Sequence, residues 1–282
     1  MGSLQVEALS YAAAAIERAG DYLASDPVEH NVIWSILSQR AESGAAGRYW
    51  LGELKGRTAG IVLESPPGHA AAISRMRAEY AAAMAEAIWE EGHRLTGVAG
   101  EAGTTAAFGG RWTECAGTAG TVEDAQRLYV LGQLAQPRGA LGKLRRAEPF
   151  ERGLIIEWWS AFQIETGSPR FDVSGAVDAG LSAKRLFIWE DEGARCVARA
   201  TEPLGGVSRI GAVFTPPKWR CLGYASACVA ALCELLRSEE GANSVLYAQL
   251  GNPGSNAIYR RLGFAAVSEV LAYRFGDVVS YL

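Results

Sequence analysis

Hydrophobic and polar positions follow two rhythms along this chain, one with helical spacing and one that alternates. Residues 5–40 are rich in helix formers, with Ala13, Ile16, Ala19 and Leu23 spaced to share one face. Pro27 breaks the pattern, and a second helix can start near Val28. Residues 49–54 and 58–63 read as the two strands of a hairpin around Lys55-Gly56. Residues 65–68 form a turn, and 70–73 a third short strand. A long helix is expected over 75–93. After 95–99 comes an ambiguous stretch of Gly, Ala and Thr, followed by an apolar segment at 128–131.

A seam falls at Gln136-Pro137-Arg138-Gly139. Beyond it, 143–149 reads as a strand and its exit. Residues 150–165 read as an amphipathic helix with Ile155, Trp158, Trp159 and Phe162 inward. A further helix is expected at 173–180, then strands at 185–190, 195–201 and 207–215. A helix over 224–237, a strand over 244–250 and a short helix over 256–262 follow. Strands at 264–267 and 270–275 close the pattern. Read loosely, the first half repeats this outline: helices, three strands, a long helix, strand, helix, strand. The echo is one of architecture, not of residues. An α/β (α+β) chain of two domains is expected, with boundaries 1–141 and 142–282.

Composition narrows the function classes. The chain has 282 residues, 49% hydrophobic and 21% charged, with a formal net charge of -4. These values are those of a globular chain and lack the basic excess of a nucleic-acid binder. The start has no basic region before its alanines, and no apolar run reaches membrane-spanning length. Neither nucleic acid nor membrane is expected as a partner. Five cysteines (Cys115, Cys196, Cys221, Cys228 and Cys233) make no disulfide framework, and reduced thiols in the cytoplasm are the simpler expectation.

One segment carries chemistry. Ile210-Gly-Ala-Val-Phe-Thr-Pro-Pro-Lys-Trp-Arg-Cys-Leu-Gly-Tyr-Ala-Ser226 is a strand ended by a double proline, a loop, and a helix opening at Gly223. A glycine at a helix mouth lets an anion approach the backbone. The free N–H groups of a first helical turn then favour phosphate without any lysine. The spacing Arg220-x-x-Gly223-x-Ala225 resembles the acyl-CoA signature of the GNAT superfamily of N-acetyltransferases. Further on, Gln249-Leu-Gly-Asn252-Pro-Gly-Ser255-Asn256-Ala-Ile-Tyr259-Arg-Arg-Leu-Gly263-Phe264 is similar to that superfamily's second motif. The resemblance covers about residues 142–282.

The resemblance implies two GNAT-like domains, each a mixed, mostly antiparallel sheet flanked by helices. It implies acetyl-CoA as cofactor and a small-molecule primary amine as acceptor. Val213, Phe214 and Thr215 would pair with the pantetheine arm like an added strand. Backbone N–H groups of Arg220, Cys221, Leu222, Gly223, Tyr224 and Ala225 would cradle the pyrophosphate. Asn252 and Asn256 would reach the pantetheine, and Asn256 could also cap the short helix. Tyr259 matches the position of a general acid that protonates the departing thiolate. A strand N–H near Val213 is a candidate oxyanion donor.

One position departs from the pattern. Arg209 stands where a subgroup of the superfamily carries a glutamate base. A guanidinium cannot act as a base at neutral pH, so Arg209 is expected to bind an anionic part of the substrate, such as a carboxylate. A water relay, or one of Glu165, Glu190 and Glu202, would then remove the amine's proton.

Plainer readings stand beside these. Tyr259 could be a core tyrosine, Asn252 and Asn256 turn and cap residues, and Arg209 a solvated strand residue. Cys221, Cys228 and Cys233 read as small packing residues, and no metal site is expected. Gly139–Lys143 lacks Walker spacing, and Gly97-x-x-Gly100-x-x-Gly103 lacks the dinucleotide fingerprint. At the place equivalent to the 220–225 loop, the first half reads Ile73-Ser-Arg-Met-Arg-Ala-Glu-Tyr80. Those side chains would obstruct a pyrophosphate, and the outline resembles tandem GNAT chains whose first copy has lost its cofactor site. An N-acetyltransferase is therefore expected, with a non-catalytic acyl-CoA sensor or scaffold as the alternative.

Overall fold

The computed structural model describes residues 3–167 and 172–276. Along the chain come β1 (Gln5–Leu9), α1 (Ala12–Ser25), α2 (Asn31–Ser43), β2 (Arg48–Leu54), β3 (Arg57–Glu64), β4 (Ala71–Ile73) and α3 (Ala78–Glu90). Then follow β5 (Gly97–Glu101), α4 (Ala102–Ala116), β6 (Gly120–Leu131), β7 (Lys143–Arg146), α5 (Arg152–Thr166) and α6 (Val173–Ser182). The remaining elements are β8 (Leu186–Glu190), β9 (Ala194–Ala200), β10 (Val207–Phe214), α7 (Tyr224–Glu240), β11 (Asn243–Gln249), α8 (Pro253–Arg261) and β12 (Phe264–Phe275).

Packing divides the chain into two units. The first holds residues 1–128, 249–251 and 267–282, and the second 129–248 and 252–266. The second unit thus begins within β6, ahead of the seam read at 136–139. The closing stretch 264–275 is a single strand, β12, where two were expected. Its residues from 267 onward belong to the first unit.

In the first unit β1, β2, β3 and β4 pair antiparallel in that order, β4 pairs β5 parallel, and β5 pairs the end of β12 antiparallel. Alternation sorts the side chains of β2 and β3 between two cores. Tyr49, Leu51, Ile61 and Leu63 join Ala15, Ala19, Leu23 and Leu37 of α1 and α2. Trp50 and Val62 face the other way, against Met84, Ile88, Phe108 and Trp112 of α3 and α4. Each large apolar side chain enclosed this way contributes roughly 1.5–3 kcal/mol.

Three further elements differ from the expected pattern. Residues 5–9 form a strand, not the start of a helix, because β1 finds a full antiparallel register with β2 from Gln5↔Glu53 to Leu9↔Tyr49. The buried face of α1 is Ala12, Ala15, Ala19 and Leu23, which leaves Ala13 exposed. The ambiguous Gly/Ala/Thr stretch is helix α4, held by a side-chain cap from Glu101 and by buried Phe108 and Trp112. The cap and this packing outweigh its weak helix propensity.

The second unit repeats the arrangement. β7, β8, β9 and β10 pair antiparallel in order, and β10 pairs β11 parallel. Leu186, Ile188, Val197 and Phe214 pack with Ile155, Trp158, Trp159 and Val177 of α5 and α6. Phe187, Cys196, Ala198, Ile210 and Leu246 pack with Cys228, Leu232 and Leu236 of α7 and Tyr259 of α8. Each unit is therefore a mixed, mostly antiparallel sheet with a helix pair on either face.

Candidate active site

The site begins where two parallel strands part. β10 and β11 pair from Val207↔Asn243 to Ile210↔Leu246. β10 then continues to Phe214 and β11 to Gln249 without further paired residues between them. On its other side β10 shifts register against β9 between Gly211 and Phe214. Ala212, at φ 48°, sits in this irregularity. Such a bulge bends a strand away from its neighbour. The backbone of Gly211, Ala212 and Val213 thus lines a fork.

Pro216 and Pro217 end β10, and Pro217–Trp219 forms one short 3-10 turn. Cys221 and Gly223 then take left-handed backbone angles, φ 63° and 87°. Gly223 is the N-cap of α7, no side chain caps that end, and the first turn holds no acidic residue. The opening N–H groups of α7 are therefore left for an outside acceptor. A methyl group on Gly223 would meet Ala140 Cβ at 3.6 Å and Arg138 O at 3.8 Å, ordinary contacts. The glycine is demanded by its backbone angle, not by crowding.

Side chains around this loop hold its shape. Arg220 Nε donates to Thr215 O at 2.9 Å, and its Nη2 bonds both oxygens of Glu165 at 2.9 and 2.7 Å. Its side chain ties the loop to the end of α5. Tyr224 donates to Asp191 Oδ2 at 2.6 Å, fixing the helix mouth to the β8–β9 turn. Arg195 and Lys218 lie against Trp219 at 4.0 and 5.5 Å from the ring centroid, adding positive charge nearby. Leu222 and Cys221 are exposed, so Cys221 is not a packing residue, unlike buried Cys228 and Cys233.

A shallow cavity of about 480 Å³ lies beside this loop, lined by Gly142, Lys143, Glu190, Asp191, Glu192 and Gly193. Three of its lining residues are carboxylates, and one of them, Asp191, holds Tyr224 at the mouth of α7.

The second motif forms α8. Asn252 caps it, accepting from Ser255 N at 3.0 Å. Asn256 is not the cap, because the helix begins at Pro253 and places Asn256 in its first turn. Asn256 is buried. Tyr129 donates to its Oδ1 at 2.7 Å, and its Nδ2 donates to Asn252 O at 2.7 Å. These bonds anchor α8, and only the fold could reveal them, since Tyr129 is remote in sequence.

Tyr259 lies one turn further along α8 and is 9% exposed. Its ring sits 6.4 Å from Tyr129 and 6.0 Å from Phe264. Burial pushes its phenol well above the ordinary tyrosine range, and the nearby Cys196 and Cys228 thiols add to this. Tyr259 is both a core tyrosine and a firmly protonated one.

Val213 is partly buried against the α7 core, and Phe214 packs 6.4 Å from Trp158. Thr215 is buried, and its hydroxyl has no hydrogen-bond partner. Arg209 shares its strand face with Gly211 and is half-buried, not solvated. The three carboxylates considered as bases are each held by an arginine. Glu165 pairs with Arg220, Glu190 with Arg145 at 3.0 Å, and Glu202 with Arg185. Among the described residues no group of three metal-binding side chains occurs, and no helix is long and apolar enough to cross a membrane.

A backbone fork, an uncapped glycine-led helix and an orphaned threonine hydroxyl together fit a phosphate-bearing, extended ligand. Comparison with known proteins bears on the fold. Residues 190–272 match the family model described as FR47-like protein. No curated protein sequence matches the chain. An acetyltransferase of the GNAT family from Colwellia psychrerythraea superposes with a TM-score of 0.63 at 10% identity, covering 96% of this chain and 100% of that one. A GCN5-related N-acetyltransferase from Sphaerobacter thermophilus gives 0.57 at 16% identity, covering 95% of each. A tandem GNAT protein from the clavulanic acid biosynthesis pathway gives 0.55 at 13%, covering 97% and 99%. The chain therefore has the GNAT superfamily fold, and its FR47-like segment includes β10, α7, β11 and α8, which build the fork.

Proposed function

We propose that this protein is an acetyl-CoA-dependent N-acetyltransferase acting on the primary amine of a small molecule. The observation that carries the reading is the parting of β10 and β11 beside the uncapped N-terminus of α7. The role is assigned to residues 142–282, with 1–141 as a domain without a cofactor site. The five cysteines, all unpaired, suit a reducing compartment, and the cytoplasm is proposed as its location.

Bound acetyl-CoA supplies an acetyl group activated as a thioester. The residues of the chain do the rest. Backbone N–H groups from Arg220 to Ala225 hold the pyrophosphate, with the α7 dipole behind them. Val213, Phe214 and Thr215 offer backbone groups to the pantetheine amides, and the Thr215 hydroxyl is a further partner. Asn252 and Asn256 support this side of the groove by holding α8. The N–H of Val213 is the donor for charge developing on the carbonyl oxygen. Tyr259, kept protonated by burial, delivers its proton to the departing sulfur. Arg209 binds the acceptor and does not deprotonate it.

A second reading is an acyl-CoA sensor without turnover. It is favoured by the engagement of Glu165, Glu190 and Glu202 in ion pairs. Calorimetry with acetyl-CoA, combined with thiol release against an amine panel, separates the two. Binding with release supports the enzyme, and binding with no release for any amine supports the sensor.

A further inference from the structure

One arginine of the second unit differs from its neighbours. Arg145, Arg152, Arg185 and Arg220 each hold a carboxylate at 2.6–2.7 Å. Arg199 of β9 pairs with none among the described residues. Its guanidinium carbon stands 5.7 Å from the centre of the Trp159 ring. A ring face attracts the charge but gives an N–H no carboxylate to bond. The Nε of Arg199 is enclosed and has no hydrogen-bond partner. Burial pushes the guanidinium below the ordinary arginine range, and no carboxylate opposes this. The residue as a whole is half-buried, so part of it stays open to a solute.

Its place in the sheet is defined by its neighbours. Val197, two residues before it, belongs to the α5–α6 core, so Arg199 lies on that side. It stands in register with Gly211 of β10, and the side chains of paired residues share a face. Gly211 puts no side chain there, and a methyl group on it would meet nothing within 4 Å. The floor beside Arg199 is therefore open. Gly211 follows Ile210, the last residue of β10 paired with β11, so this floor is the base of the fork. It lies two residues before Val213, the proposed donor to the carbonyl oxygen.

We infer that Arg199, beside the open floor at Gly211, binds a carboxylate carried by the acceptor itself. The acceptor is then a small amine that also bears a carboxylate. One carboxylate neutralises one guanidinium and matches its planar fork. A phosphate dianion would leave net charge in a half-desolvated place. A carboxamide would leave the guanidinium charge unpaired, and a polar site discriminates most strongly against such a ligand. Arg209 of β10 feels the charge of Arg199 but has interactions of its own, so the carboxylate is assigned to Arg199. This deepens the acetyl-transfer reading and rests on it for the amine.

Two measurements on the full chain test this separately. In calorimetry without acetyl-CoA, pentanoate, pentanamide and inorganic phosphate serve as probes. Pentanoate is expected to bind at least tenfold more tightly than the other two. Arg199→Gln should weaken it at least tenfold, and Arg199→Lys, which keeps the charge without the fork, by less. Gly211→Leu, which fills the floor and leaves Arg199 in place, should weaken it as much as Arg199→Gln. Circular dichroism shows which variants are folded, and one folded variant of the three suffices. No pentanoate binding, equal binding of pentanamide, tighter binding of phosphate, or an affinity unchanged in the folded variants overturns the inference. In a thiol-release assay with acetyl-CoA, amino carboxylates are compared with the matching carboxamides. A preference for the carboxylates of at least tenfold in kcat/KM, expressed in KM and reduced below about threefold by Arg199→Gln, is expected. Equal use of the two classes overturns the inference and leaves the acetyl-transfer reading standing. Arg199-dependent pentanoate binding with no thiol release from any amine overturns the acetyl-transfer reading and leaves the carboxylate site standing.

Discussion

Each unit contains a parallel strand pair joined by a loop and a helix, α3 in the first and α7 in the second, yet the two pairs end differently. In the second, β10 and β11 part after Ile210↔Leu246, and a left-handed Gly223 leads into an uncapped helix. In the first, β4 and β5 pair at Ala71↔Val98 and Ala72↔Ala99. A methyl group on Gly100 would meet Ile73 O at 2.5 Å, so the strands approach closely where a fork would open. The Thr104 hydroxyl accepts from Met76 N at 3.2 Å, and its proton is shared between Met76 O at 3.0 Å and Glu101 Oε2 at 2.8 Å. Arg75 pairs with buried Glu29 at 2.9 Å, and Ser268 donates to the other oxygen of Glu29 at 3.1 Å. The counterpart of α7 is α3, which follows Arg77 in extended backbone and also lacks a side-chain cap, whereas α7 follows the left-handed Gly223. One architecture can thus part at its strand pair or brace itself there, and a few loop residues choose.

The comparison predicts unequal consequences of mutation. The largest effect is expected from Gly223→Val, because a β-branched residue resists φ 87° and its side chain intrudes on the cradle. Acetyl-CoA binding, measured by calorimetry, should be lost while the circular dichroism spectrum is kept. Retained affinity removes the pyrophosphate from this loop.

Next is Tyr259→Phe, which keeps the packing against Phe264 and Tyr129 but removes the proton donor. A fall in kcat of roughly ten- to ten-thousand-fold is expected, with acetyl-CoA affinity unchanged. An unaltered kcat makes Tyr259 a packing residue alone.

Thr104→Val tests the closed strand pair. Loss of the hydroxyl leaves Met76 N–H and C=O without this partner, at a cost of about 1–3 kcal/mol in urea unfolding. The acetyl-CoA dissociation constant should not move, since the brace belongs to the unit to which the proposal assigns no cofactor site. A changed constant breaks the separation of roles.

The smallest effects are in pH dependence, and the two units should show opposite signs. Burial raises the Glu29 carboxyl above its ordinary range, against the opposing pull of Ser268 and Arg75, with Asp26 and Glu101 adding to the rise. A raised acid binds its proton more tightly when folded, so its contribution to stability falls as pH rises through the carboxylate range. Burial also acts upward on Glu151, but Arg145 at 2.7 Å and the Glu148 N–H at 2.9 Å outweigh it and hold the carboxyl low. Its contribution is present above the ordinary carboxylate pKa of about 4.3 and fades as pH falls through the depressed value. From pH 7 to pH 4, the Tm difference between variant and wild type should therefore grow more negative for Glu29→Gln. For Glu151→Gln it should grow less negative. Parallel trends would contradict the assignment of either carboxylate.

Much of this was legible in the order of residues. The hairpin at Lys55-Gly56, strands β8 to β11 and helices α5, α6 and α7 lie where period and turn chemistry put them. Arg220-x-x-Gly223-x-Ala225 marked the mouth of α7, because a left-handed glycine before a helix is a local backbone demand. What was missed depended on distant partners. β1 exists because β2 lies alongside it, and α4 because Glu101 caps it and Trp112 stacks on Phe275, ring centroids 5.3 Å apart. Asn256 binds Tyr129 across 127 positions, a pairing no spacing rule describes.

The sequence by itself determined the rhythm of elements, the repeated outline and the glycine loop, all of which rest on interactions within a few residues. Only the tertiary structure decided which strand pair opens and which closes. It also turned Arg220 into a brace for the loop, and it placed Arg199 opposite Gly211. The physical reason is range. Backbone angles and periodicity are settled locally, whereas burial, charge proximity and the satisfaction of hydrogen bonds are settled by whichever remote residues the fold brings together.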